Sequence, residues 1–135
     1  MAAIVRGVVA IAAALVVIFI LVVAVEFFSA VVHPVPADFD GSMEEMCRHV
    51  ERYPAWVLAV VVPLWAGTAF AGTWVAGRLA NRGCALFIAF MLLASLVLNI
   101  SMLPYPYWFE TAALIGISAG IWLGLKWSRP PLAIA

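Results

Sequence analysis

The sequence predicts an all-α, polytopic membrane protein: a four-transmembrane-helix bundle with a short amphipathic helix in the first outer loop. Three observations carry that expectation. The 135 residues are 67% hydrophobic and only 10% charged, whereas soluble domains are roughly half apolar and about a quarter charged. Mean hydropathy is +1.16. Apolar stretches at about 4–28, 55–77, 84–103 and 107–125 are each near the roughly 20 residues that cross a hydrocarbon core. They occupy most of the chain and imply a single transmembrane domain over 1–135, with an outer loop at 29–54.

The first stretch is uncharged from Gly7 to Val25. A cleaved leader also begins with a basic residue and an apolar core, but such a core is about 7–15 residues long and follows a more basic start than the single Arg6. Length therefore favours a retained helix, while the small residues around Val22–Val25 leave cleavage open. The stretch closes on "VAVEFFSAVVHPVP", which sets Glu26 near the wet end of the helix and His33 seven residues later, before Pro34 and Pro36.

The loop that follows divides in two. "HPVPADFDG" should be extended, because a residue preceding proline is pushed away from the α region. In "SMEEMCRHVERY", Ser42 and Glu45 have the spacing of a capping box. Met43, Met46, Cys47 and Val50 fall at i, i+3, i+4 and i+7, opposite Glu44, Glu45, Arg48, Glu51 and Arg52. That pattern predicts a short helix lying on the outer membrane surface or roofing the bundle.

The second span repeats small residues, with Ala69, Thr73 and Gly77 in an i, i+4, i+8 row; the fourth has Gly116 and Gly120 at the same spacing. Such rows let helix backbones approach in lipid, and packing within one chain is preferred here to a dimer seam. The third span is uncharged but carries Asn99 and Ser101. The fourth carries Glu110 alone, shortly after Pro106. Phe27, Phe28, Tyr53, Trp56, Tyr105, Tyr107, Trp108 and Phe109 gather at the outer boundary and Trp127 at the inner one, as an interfacial aromatic belt does.

Charge sets the expected orientation. Arg6, Arg78, Arg82, Lys126 and Arg129 share one side, against Arg48 and Arg52 on the other. Basic residues are retained in the cytoplasm, so both termini should be cytoplasmic. A cell inner membrane is the expected address, since no organellar targeting feature is present. Cys47 and Cys84 then lie on opposite sides and cannot pair.

Polar residues inside the membrane are costly and point to function. Glu110 has a structural explanation, because a helix N-terminus stabilises a carboxylate. Glu26 sits at the opposite kind of helix end, where the macrodipole disfavours an anion. With His33, Asn99, Ser101 and Glu110 it defines a candidate polar or ligand-binding pocket open to one side. His33, His49, Asp38 and Asp40 offer donors for Zn²⁺ or Cu²⁺ but lack a recognised ligand spacing, so no metal and no other cofactor is expected. No catalytic residue is assigned, because G-x-S-x-G, H-E-x-x-H and phosphate-loop motifs are all missing. The lack of a basic patch argues against nucleic acid. The expected function is a non-enzymatic membrane component, embedded in the lipid bilayer, that binds an apolar ligand such as lipid or quinone, another membrane protein, or itself. A small oligomeric transporter or channel is the alternative, and a membrane enzyme using Glu26 and His33 a third reading.

Overall fold

A computed structural model describes residues 2–128; Arg129 and Ala135 lie outside them. Its elements are α1 (Ala2–Val32), α2 (Met43–Glu51), α3 (Ala55–Leu79), α4 (Arg82–Met102) and α5 (Tyr107–Trp127). The described residues contain no strand. α1, α3, α4 and α5 are each long and apolar enough to cross a membrane. The molecule is a four-helix membrane bundle, and the apolar outer faces of its helices, with exposed Val16, Phe19, Phe90, Leu98 and Ile115, contact the lipid bilayer.

Helix ends differ from the expected limits for local reasons. α1 continues past Phe28, so Ser29–Val32 belong to the helix and not to the loop. The His33 amide still donates to the Ser29 carbonyl at 2.8 Å, because nothing before Pro34 breaks the ladder. At 31 residues the helix is about 46 Å long, well over the roughly 30 Å of a hydrocarbon core. α4 begins at Arg82 because the Asn81 carboxamide oxygen accepts from the Cys84 amide at 3.0 Å, an N-cap that the apolar pattern did not mark. α3 runs to Leu79, where the Arg6 guanidinium donates to the Leu79 carbonyl at 2.6 Å. That cation meets the negative end of the α3 dipole.

α3 is the central helix and packs on α5, α1 and α4, whereas α1 and α4 touch each other only sparsely. Its closest partner is α5. A Cβ at Gly120 would run into the backbone carbonyl of Ala66, and one at Gly116 would lie 3.2 Å from Val62. Without side chains there, the two backbones approach closely enough for dispersion to hold them, which matters where lipid removes the hydrophobic drive between helices. Ala69, Thr73 and Gly77 are all buried on α3. A Cβ at Gly77 would meet Ser128 and Ala85.

α2 is set by its cap. The Ser42 hydroxyl accepts from the Glu45 amide at 3.2 Å, but the reciprocal half of a capping box is not made. The Ser42 amide donates instead to Asp40 at 2.7 Å, and the Glu45 carboxylate turns to Arg48 at 2.9 Å. Gly41, with φ of 79°, makes the turn into the cap in a region that a side chain would disfavour. The buried face is also rotated from the one expected. Met43 and Met46 are exposed, whereas His49 and Val50 are buried, so α2 roofs the bundle through its His49–Val50 edge.

Candidate functional site: a two-part pocket beneath α2

The polar residues collect at the α2 end of the bundle. Two adjoining cavities, of about 140 Å³ and about 220 Å³, share Glu26, Trp65 and Asn99. The smaller lies under α2, where His49, Tyr53, Tyr105 and Phe109 join the shared residues. The larger continues toward the middle of the bundle, with Val22 of α1 and Leu92, Ser95 and Leu96 of α4 as its walls and Thr68 and Ala69 of α3 as its floor. Because α1 and α4 barely touch, this lower part is a groove between them.

Glu26 stands on the α1 wall. It is exposed along the groove, because α4 does not close over it. The ion pairs among the described residues join Arg48 to Glu44 and Glu45, so Glu26 has no salt-bridge partner there. Asn99 faces it from α4. The Asn99 Oδ1 is buried and accepts no hydrogen bond. An acceptor left in that state costs about 1–3 kcal/mol, which any donor entering the cavity would recover.

The aromatic lining is held by edge and face contacts. Phe109 is fully buried and lies edge-on to Trp65 at 5.5 Å and tilted against Tyr105 at 4.7 Å. Burial pushes the Tyr105 phenol up to about 12, with the charges of Glu26 and Tyr53 adding to it. Tyr53 is raised by burial and by Glu26, against a smaller opposing effect of a hydrogen bond with Ser29. Both phenols therefore stay neutral at ordinary pH, and both feel the Glu26 carboxylate.

His33 is brought to α2 rather than to Glu26. Its ring stacks on His49 with centroids 4.4 Å apart and 21° between planes, and its Nε2 lies 3.3 Å from the His49 carbonyl oxygen. Tyr53 packs against both rings, at 4.5 Å and 5.3 Å. Burial, followed by the nearby His33 and Arg52, holds the His49 imidazole below its usual value. The stack joins the end of α1 to the roof helix and leaves His33 outside both cavities.

Of the pocket residues nominated from sequence, Glu26 and Asn99 line the cavities, whereas His33, Ser101 and Glu110 do not. Ser101 is exposed and donates to the Leu98 carbonyl at 2.9 Å. Glu110 occupies the first turn of α5 and lines neither cavity. Asp40 accepts from the amide of Ser42, the N-cap of α2, and its carboxyl is lowered chiefly by hydrogen bonding with Ser42. Among the described residues no three His, Cys, Asp or Glu side chains gather as metal ligands would. Cys47 and Cys84 are both free. Cys47 lies against the Met102 carbonyl at the end of α4, and Cys84 lies in its first turn, about 27 Å away at the helical rise.

Ser29, Tyr53, Trp65, Tyr105 and Phe109 were missed as pocket residues. The aromatic belt divides: Phe27, Trp56, Tyr107 and Trp108 face outward, whereas Tyr53, Tyr105 and Phe109 line the cavity. A signal for Phe109 existed, since Phe109, Ala113, Ile117 and Ile121 recur every four residues along the buried face of α5. No protein-family profile, no curated protein and no solved structure matches the chain, so its function has to be argued from this pocket.

Proposed function

We propose that the chain is a non-enzymatic component of a cell inner membrane, with both termini in the cytoplasm, that holds an apolar or amphiphilic ligand such as a lipid or quinone in a pocket facing outward. The observation that carries this reading is the pair of cavities meeting at Glu26, Trp65 and Asn99, where the Asn99 Oδ1 has no partner. A mostly apolar cavity with a few convergent polar groups is the usual form of a small-molecule site. The groove between α1 and α4 supplies a route from the bilayer, so the ligand need not cross water. The five-to-two bias of basic residues supports the orientation.

Transport finds less support. The deeper half of the bundle offers Thr68, Thr73, Ser95 and Ser118 but no ionisable side chain, and coupled carriers place such groups near the midplane. An enzyme using Glu26 with His33 is also less favoured, because His33 is engaged with His49 and Tyr53.

The test is to purify the full chain from native-like membranes in a mild detergent and identify bound species by native mass spectrometry. Ser95→Trp should fill the groove from its exposed α4 wall and remove the bound species while leaving helicity unchanged. Equal retention in both proteins, or no bound species in either, would overturn the reading.

A further inference from the structure

Resting on the ligand-binding reading above, the chemistry of the lining narrows the ligand class. The cavity under α2 contains a carboxylate and four aromatic rings: Glu26 with Trp65, Tyr53, Tyr105 and Phe109. No lysine or arginine lines either cavity, and Glu26 has no ion-pair partner among the described residues. His49 is the one lining side chain able to become cationic, and its environment disfavours that form. The pocket thus presents negative charge and ring faces, with a buried carbonyl acceptor on Asn99 and no positive charge to balance them.

That combination is what an ammonium group requires. Aromatic faces attract a cation through their quadrupole, most strongly when water is excluded, and a carboxylate supplies the counter-charge. We propose that the pocket binds the ammonium head of an amphiphile, with the head beneath α2 at Glu26 and the apolar chain in the groove between α1 and α4. The dimensions agree. A cavity of roughly 150 Å³ admits a benzene-sized body, and the head compartment measures about 140 Å³. The larger compartment, about 220 Å³ and bordered by Val22, Leu92 and Leu96, continues from it and suits the first part of a chain. A primary ammonium can also donate to the Asn99 Oδ1, which a quaternary head cannot.

The experiment is titration calorimetry on the full chain in maltoside micelles. Dodecyltrimethylammonium and dodecylammonium are the cationic probes, dodecanol is the uncharged one, and tetramethylammonium lacks a chain. Both cationic amphiphiles should bind saturably and at least tenfold more tightly than dodecanol, as an ion pair with aromatic contacts implies. Dodecylammonium should gain further over its trimethyl analogue, and Asn99→Leu should abolish that gain. Glu26→Gln should remove the preference for charge while keeping dodecanol binding, and Glu26→Asp should retain the preference, which guards against misfolding as the cause. Competition by phosphatidylethanolamine added to the micelles would identify a lipid head as the source of the amine. Its failure to compete would identify a free amphiphilic amine. Equal binding of dodecanol and the cations would overturn the ammonium proposal while leaving the apolar-ligand reading intact. Binding of tetramethylammonium as tight as its dodecyl analogue would overturn the amphiphile assignment. No binding by any probe would overturn both.

Discussion

Glu26 and Glu110 are both carboxylates near the α2 end of the bundle, yet their surroundings separate them. Glu110 sits in the first turn of α5, where the helix dipole favours an anion by about 0.3–1 kcal/mol. Glu110→Gln should therefore lower thermal stability by no more than that, and should leave any stabilisation by added lipid unchanged. Glu26→Gln should reduce the lipid-dependent part of the melting temperature, measured in the same detergent, to what the apolar groove alone provides. Equal responses of the two variants would remove Glu26 from the site. His49 gives a second prediction at this scale. Its neutral form is favoured in the folded protein, so the unfolded chain binds more protons between the lowered value and the ordinary one. The stability it contributes is complete above about pH 6.5 and is lost as pH falls through the lower folded value. His33, Arg52 and Tyr53 face it, and protonation would add charge beside one existing cation. Protection factors across Met43–Glu51, taken relative to the intrinsic exchange rate at each pH, should fall on acidification, and His49→Phe should flatten that dependence.

α2 is held by few local interactions, so its cap can be tested alone. Ser42→Ala removes the acceptor for the Glu45 amide and should weaken the helix by roughly 1 kcal/mol, seen as faster exchange from Met43 to Glu51. Glu45→Ala should spare the cap, because that carboxylate pairs with Arg48 rather than with the Ser42 amide. Packing of α3 on α5 offers a matched pair of glycines. A methyl at Gly120 meets the Ala66 backbone, which cannot move as a side chain would, whereas a methyl at Gly67 meets nothing within 4 Å. Gly120→Ala should lower stability by about 1–3 kcal/mol. Gly67→Ala should change it by less than about 1 kcal/mol. A melting comparison in one detergent distinguishes them, and similar losses would contradict the close approach of α3 and α5.

For the molecule as a whole, the four spans carry a testable direction. Fusions of a compartment-sensitive reporter at Ala80 and Ala135 should both report cytoplasm, and one at Gly41 should report the outside. A cytoplasmic Gly41 would invert the map and turn the pocket inward. Arg6 adds a physical link at the same end, since it donates to the last turn of α3 and ties the start of the chain to the α3–α4 connection.

The membrane class and the four helices could be read from one dimension because they depend on quantities that accumulate along the chain. Hydrophobic length against bilayer thickness needs no partner to evaluate, and every backbone polar group in lipid must be satisfied within its own helix. The Ser42 cap was readable for a similar reason, since its donor lies three residues away. The pocket was not readable in that way. The sequence marked Glu26 and Asn99 by their cost in a membrane, but it offered His33, Ser101 and Glu110 on equal terms. Which of them meet depends on how each helix is rotated about its axis. All four long helices are apolar almost all round, so no amphipathic stripe discloses that rotation. It follows from close approaches such as Gly120 against Ala66, which turn α5 so that Phe109 faces Trp65. Shape complementarity between helices, rather than the solubility of any one of them, placed the aromatic rings around Glu26.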